Sequence, residues 1–566
     1  MKNYVNLLFK KVILASFVGA FGLSLMAQEV EEVVVTAEKR SESLQDISQA
    51  VTALTESDIE EKNIESFVDL SAIVPGVTVA KNEGYKTIIS IRGVGNETNQ
   101  NAIAAPSVAF HMDGVFIASP FAISTDFLDV ERLEVIRGPQ GTLFGQNSTG
   151  GAINLISKTP TTEGSEGKLS VTYGDYNLRK VSASNNIVVN DKIATRFSVS
   201  STTRDGFTEN VFTGQDLDDA NNKSVRTDWM FDLSDTSSLR VFGQYFKVDR
   251  NGAAIRGIDD QSSGMRKLSQ DTISQHDLSS MVVAAIYEAD LGFANLKMIG
   301  SVQEDDISVT RDNDRHNYLD PVLSIPGLGA GATYQRSEFR PETSLVDTTT
   351  FEVNLISIEP IEGRLDWTVG AFYMDHEIEN HIRGYRDNDG TGRLKYECSE
   401  SFADPTYCYE HDYGIPGRFD VFGADWDFVT DAFPTRESYS IFGQTTLYVS
   451  DSFRIISGLR YSEDKFTSDV TNFFNVDEYL LTGESDEVTS RVVAEVDFSD
   501  DVMVYFALAK GYKPGGSNLT FGFTEEEDIE GGWPVAPAMV FPTFESETVD
   551  SVEFGLKSTF ADGRAR

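Results

Sequence analysis

From Gly167 onward, polar and apolar residues alternate with a period of two over stretches of about ten residues. Leu169, Val171 and Tyr173 stand between Lys168, Ser170 and Thr172, and the same beat returns over Arg196–Val199, Leu365–Tyr373 and Phe453–Tyr461. A strand of this kind has one apolar and one polar face, as a barrel with lipid outside and water inside requires. The pattern predicts about fourteen strands, at 167–175, 178–188, 193–203, 224–233, 238–248, 279–291, 294–309, 346–357, 364–379, 436–449, 452–464, 486–498, 502–512 and 547–560. Tight connections such as Asn190-Asp191, Gly292-Phe293 and Ser450-Asp451 alternate with long polar ones at 204–223, 250–278, 380–434 and 515–544. Short periplasmic turns and long outer loops are the asymmetry of outer-membrane barrels.

The N-terminal part follows another rhythm. Lys2, Lys10 and Lys11 precede an apolar run from Val12 to Met26, with Ala27 at a cleavage position, which reads as a secretory signal peptide. After it no window reaches the roughly 18 consecutive apolar residues of a membrane helix. From Leu44 to Pro75 a helical stretch is predicted, with Ser57 and Asp58 as caps and Ile59, Ile64, Phe67, Val68 and Leu70 at three- and four-residue spacings. Strands are predicted over Thr87–Ile91, Ser107–Ile117, Val130–Ile136 and Ala152–Ile156. Between the last two lie Gly138, Pro139, Gly141, Gly145, Gly150 and Gly151, marking a backbone turned tightly against a surface with no room for side chains.

The run Asp129–Pro160, DVERLEVIRGPQGTLFGQNSTGGAINLISKTP, resembles the plug domain of TonB-dependent outer-membrane receptors. Ile91-Arg92-Gly93 and Asp113-Gly114-Val115 resemble other plug motifs, and Gly458–Tyr461 (GLRY) and Ala509–Gly516 (AKGYKPGG) resemble barrel sequence of that family. The resemblance implies an all-β membrane protein, a transmembrane antiparallel β-barrel with an N-terminal α+β plug domain in its lumen. Residues 1–27 are then the signal peptide, 28–40 the TonB box and linker, 41–163 the plug and 164–566 the barrel. A plug of this size needs a barrel of about 22 strands, so the chain is expected to hold about 14 of them and to be incomplete at the C-terminus, where Ala561–Arg566 reads as a hairpin turn.

Glu32, Val33, Val34, Val35 and Thr36 form a β-prone run on what is expected to be a flexible terminus. In the resembled family this is the TonB box, captured by TonB through strand addition, in which main-chain hydrogen bonds give affinity and alternate side chains selectivity. An ordinary first strand of the plug is the competing reading. Arg92, Glu134 and Arg137 are charges within packed strands, which survive burial only when paired. The resemblance implies that they contact the barrel wall and hold the plug. Ligand contact is expected at the plug loops, with Lys81, Tyr85, Asn96, Asn101, Phe116 and Phe121 as candidates.

Composition narrows the partners. Acidic residues outnumber basic ones by 89 to 47, a net charge of −42, which excludes a nucleic-acid partner. The two cysteines, Cys398 and Cys408, lie ten positions apart and in an oxidising compartment read as one local disulfide. His376, His381 and His411 share the region without a metal-ligand spacing, so no metal site is assigned. Gly93-Val94-Gly95 lacks the rest of a dinucleotide loop, Gly138–Gly145 lacks the Lys-Ser/Thr of a P-loop, and no Gly-x-Ser-x-Gly elbow occurs. No catalytic residue and no cofactor is therefore assigned; an enzyme is not expected.

The resemblance implies TonB-dependent active transport across the outer membrane of a Gram-negative bacterium by a monomer whose partners are TonB, outer-membrane lipid and an iron chelate. A ferric siderophore is the commonest cargo of the family; cobalamin, haem and oligosaccharide are the alternatives. A passive channel with a hatch and a secreted polysaccharide-binding β-protein are the rival classes.

Overall fold

The computed structural model describes residues 33–559 apart from 83–84, 96–104, 125, 258–259, 261, 263, 313–314, 316–337, 387–427, 473–474, 500, 518–521, 524–528, 531–532, 535–538 and 541–542. Glu32, Asn96, Asn101, Cys398, Cys408, His411 and the hairpin expected at 561–566 lie outside the described residues.

Fourteen strands form one antiparallel sheet in chain order. They are β10 (Gly167–Gly174), β11 (Leu178–Asn190), β12 (Ile193–Arg204), β13 (Ala220–Ser234), β14 (Ser237–Arg250), β15 (Gln275–Asp290), β16 (Ala294–Asp312), β17 (Glu338–Ser357), β18 (Leu365–Arg386), β19 (Phe428–Ser450), β20 (Phe453–Asn472), β21 (Asn475–Ser499), β22 (Val502–Lys513) and β23 (Glu547–Ser558). Among the described residues β10 pairs only with β11, and β23 only with β22. Alternation sets the faces: along β16, Ser301, Gln303, Asp305 and Ile307 are buried while Val302, Glu304, Asp306 and Ser308 are exposed. β17 to β21 run to 20–25 residues, well past their expected outer ends. Apolar residues are scattered there on both faces, Leu345, Phe433 and Leu480 exposed and Ile382 and Val470 buried, so no regular hydrophobic beat marks where the strands stop.

The preceding segment fills the inside of this sheet. Val34–Val35 (β1) pairs with Glu42–Ser43 (β2). Val51–Thr55 (β3) leads into helix α1 (Glu56–Glu61), and Leu70–Ile73 (α2) precedes a hairpin of Val77–Asn82 (β4) and Lys86–Ile91 (β5). Val108–Met112 (β6), Val115–Ile117 (β7), Val130–Arg137 (β8) and Gly151–Ser157 (β9) complete a five-stranded sheet of order β3-β8-β9-β6-β7, in which only β6 and β9 run parallel. Its apolar core (Leu54, Phe67, Leu70, Phe110, Leu133, Val135 and Ile153 among others) is continuous with Phe242, Val282, Ile286 and Ile299 of the barrel wall.

Two expectations are corrected. The helical stretch is capped by Thr55, not Ser57: the Thr55 hydroxyl accepts the Asp58 N–H and the Asp58 carboxylate accepts the Thr55 N–H, a reciprocal box. The stretch then breaks at Asn63, whose φ of +51° no helix continues, and resumes as a 3-10 turn, Phe67–Asp69, before α2. Ser107–Ile117 is not one strand. Asp113 and Gly114, with φ of +53° and +86°, fold it into the β6–β7 hairpin, as an Asp-Gly pair favours.

Candidate functional site: the plug, its ties to the wall and its N-terminal strap

The glycine run between β8 and β9 lets the plug backbone meet the barrel. A Cβ on Gly145 would lie 2.5 Å from the Arg460 guanidinium carbon. One on Gly141 would collide with the Lys510 carbonyl oxygen. Arg460 is itself buried with its guanidinium 4.9 Å from the Phe442 ring centroid.

Charged groups fasten the plug. Asp113, at the tip of the β6–β7 hairpin, accepts the Ser157 N–H (2.9 Å) and bonds from Arg226 (2.8 Å) and Arg240 (3.4 Å) of the barrel. Burial opposes its ionisation, yet the two arginines hold its carboxyl below the usual range. Asp129 is shifted the same way against its burial by Arg196, which donates two bonds of 2.5 and 2.8 Å, and by Ser198. These pairs put the acid on the plug and the base on the wall.

Of the residues singled out from sequence, Arg92 reaches the wall: it donates to Glu553 at 2.7 Å. Glu134 does not, and the expected wall contact is corrected. It is fully buried and accepts the Thr36 N–H (2.9 Å), Arg132 Nε (2.9 Å) and Asn154 Nδ2 (3.3 Å), all within the plug. β8 lies between β3 and β9, so its side chains are surrounded by plug. Arg137 donates to the Pro75 carbonyl at 3.3 Å, also within the plug. Sequence reading missed Asp113, Asp129 and the wall arginines. The usable signal was the set of arginines at inward positions of the barrel strands: Arg196, Arg226, Arg240, Arg460 and Arg491, all buried.

The candidate TonB box is docked rather than free. Val35 is fully buried, Val34 is exposed, and Thr36 bonds Glu134 through both its N–H and its hydroxyl. Past Ala37, the residues Glu38, Lys39 and Arg40 each reach the wall. Glu38 accepts from Arg491 (2.9 Å) and Gln444 (3.0 Å). Lys39, at φ +61°, pairs with Glu352. Arg40 donates to the Ser357 hydroxyl and the Trp367 carbonyl, both at 2.7 Å.

The ligand-contact candidates fall in three places. Tyr85 and Phe121 come together, their rings parallel at 6.1 Å, with the Tyr85 hydroxyl donating to Glu342 (2.7 Å) and accepting from Arg311 (3.0 Å). Lys81 is exposed at the end of β4. Phe116 is buried deeper, against His111 and Phe372. Burial, followed by the nearby Lys39, lowers the His111 pKa to about 3, so this imidazole is neutral. No group of metal-holding side chains occurs among the described residues.

A plug packed into a fourteen-stranded sheet with apolar outer and polar inner faces defines a plugged outer-membrane β-barrel. Comparison with known proteins gives the family. Residues 43–152 match the TonB-dependent receptor plug domain and residues 300–566 the TonB-dependent receptor-like β-barrel. The chain belongs to the TonB-dependent receptors, which are outer-membrane proteins of Gram-negative bacteria. It is 24% identical over 513 residues to the pesticin receptor of Yersinia pestis, a match covering 87% of this chain and 65% of that protein. It is 36% identical over 154 residues to the vitamin B12 transporter of Vibrio vulnificus, covering 26% of this chain and 24% of that one. In these matches the chain thus spans less than two thirds of either relative. Among solved structures, the ferric yersiniabactin uptake receptor of Yersinia pestis superposes with a TM-score of 0.71 at 17% identity, over 91% of this chain and 70% of that one. The siderophore receptor PiuA of Acinetobacter baumannii gives 0.66 at 18%, over 92% and 71%.

Proposed function

We propose that the chain is the plug and barrel wall of a receptor that takes up a ferric siderophore by TonB-dependent active transport. The observation that carries this reading is the docked Val33–Thr36 strand. It is a short β-prone tail held to the plug by β1–β2 pairing and the Glu134 bonds, and continuous with the ties that fix the plug in the lumen. A partner that adds a strand to this tail competes for its main-chain groups and so reaches the plug mechanically. The siderophore receptors among its structural relatives support the cargo class. The likeness over 154 residues to a vitamin B12 transporter favours cobalamin as the second reading.

The test is binding of the full-length receptor to ferric catecholates, ferric hydroxamates, ferric yersiniabactin and cobalamin, followed by uptake in cells. Ferric-siderophore binding is expected, with uptake abolished and binding kept when Glu32–Thr36 is deleted. Unchanged uptake by the deletion variant defeats the energised reading in favour of a passive channel. Binding of cobalamin alone replaces the cargo.

A further inference from the structure

On the outward face of β10 to β14 the sheet changes character toward its loop end. Val199, Val225 and Tyr245 stand directly opposite one another on β12, β13 and β14, all exposed, and form an apolar band of the kind that lipid covers. One step toward the loops the outward row reads Val181, Ser201, Lys223 and Lys247, again in register. The row beyond reads Tyr173, Arg179, Thr203 and Asn221. Cations therefore stand directly above the apolar band, with hydroxyl and amide groups between them.

Two of these cations lack the partner that outward lysines have elsewhere. Lys247 pairs with Asp277 at 3.0 Å, and Lys465 of β20 with Glu463 at 2.7 Å. Arg179 and Lys223 are exposed, and neither side chain has an ion-pair or hydrogen-bond partner among the described residues. Lys223 also faces Lys247 across its strand pair. Like charges so placed destabilise a sheet, and an anion seated between them turns that repulsion into attraction. Farther round the sheet, the outward residues Glu304, Asp347 and Glu377 of β16 to β18 are acidic and exposed. An anionic lipid is repelled from that sector and drawn to this one. Two strand spacings across and two residues along put the Cα atoms of Arg179 and Lys223 roughly 12 Å apart, a span that suits a headgroup with two phosphates.

We propose that the loop end of β11 to β14 is a docking site for a phosphorylated glycolipid of the outer leaflet. One phosphate lies between Lys223 and Lys247, and the other meets the planar Arg179 guanidinium, whose fork matches phosphate oxygens. The sugars cover the Ser201 and Thr203 hydroxyls, and the acyl chains run down the apolar band. The site lies on the outside of the wall, so it is independent of the cargo and of the transport reading.

Native mass spectrometry of the full-length receptor in neutral detergent reads the affinity, with an acylated glucosamine disaccharide carrying a phosphate at each end as the probe. Phosphatidylcholine and the same glycolipid stripped of phosphate are expected to bind at least ten times more weakly. The double variant Arg179→Gln with Lys223→Gln should weaken binding of the phosphorylated probe at least tenfold, and Lys465→Gln, in the acidic sector, less than twofold. Asp277→Asn frees Lys247 from its carboxylate and should tighten binding at least twofold, a gain that a misfolded receptor cannot produce. Unchanged affinity in the double variant, an equal loss in Lys465→Gln, or equal binding of the stripped glycolipid overturns the proposal. So does an Asp277→Asn receptor that binds no more tightly. Inorganic phosphate at tenfold excess over the probe should displace little of it; complete displacement would make this a free-anion site and overturn the assignment to lipid.

Discussion

Asp113 shows how much one residue holds. Its carboxylate has no exposed surface and faces two buried arginines across the plug–wall junction. Removing one partner of such a set strands the other charges in a place where water cannot reach them. Asp113→Ala is expected to cost about 3–5 kcal/mol, read as a lower unfolding midpoint of the plug and faster proteolysis at the β6–β7 turn. Because the folded pKa of Asp113 lies below the ordinary aspartate value of about 3.9, its stabilisation is fully present above that value and is lost as pH falls through the folded pKa. Plug unfolding of the native receptor should therefore become easier only in strong acid, and a Asp113→Asn receptor should lose that part of the pH dependence. At Gly151 the constraint is steric: φ is +148° and any Cβ would collide with the Ile136 carbonyl oxygen of the neighbouring strand. Gly151→Ala should separate β8 from β9 and expose the plug to protease, whereas alanine at the open Gly292 turn, strained only by its φ of +83°, should leave the plug intact.

At the scale of elements, the strap is the part whose stability matters most. Val35 is completely buried beside Ala37 and Ile47, so Val35→Asp places an unpaired charge in an apolar site and should free the strand. The reactivity of a thiol at Val34 reports this: it should rise at least tenfold in the Val35→Asp receptor, and affinity for the periplasmic domain of TonB should rise with it, since undocking no longer opposes capture. Unchanged thiol reactivity would mean that β1–β2 pairing alone secures the strap. The strap's docking was not legible in the sequence, which reads there as valines on a tail. Its hold comes from Glu134, 98 residues away, and from wall residues more than 300 positions on. The fourteen barrel strands were legible because lipid outside and water inside impose a period of two that needs no long-range knowledge. Their outer ends were not, since apolar residues there are scattered over both faces without the period of two. Glu134 was read as a wall contact because sequence marks a buried charge without saying what surrounds it, and the position of β8 inside the plug sheet decides that.

For the whole molecule, with its net charge of −42, inward charges are paired in both senses: wall arginines meet plug acids, and the wall acids Glu352 and Glu553 meet Lys39 and Arg92. Outward positions in the loop-side half of the sheet carry acids on β16 to β18. Glu304, Asp347 and Glu377 stand directly opposite one another on β16, β17 and β18, all exposed and without a cationic partner among the described residues. Like charges facing across strands destabilise a sheet, but these lie where counterions reach them, unlike the buried ties at Asp113 and Asp129. Added salt shortens the screening length from roughly 30 Å at 0.01 M to about 8 Å at 0.15 M, which relieves the outward repulsion and leaves the buried pairs nearly untouched. The receptor in neutral detergent should therefore gain thermal stability as salt is raised over that range, and Asp347→Asn should raise Tm at low salt with little effect at high salt. A Tm that falls with salt would place the dominant electrostatics in the plug–wall pairs and require that water and ions reach them, contrary to their burial.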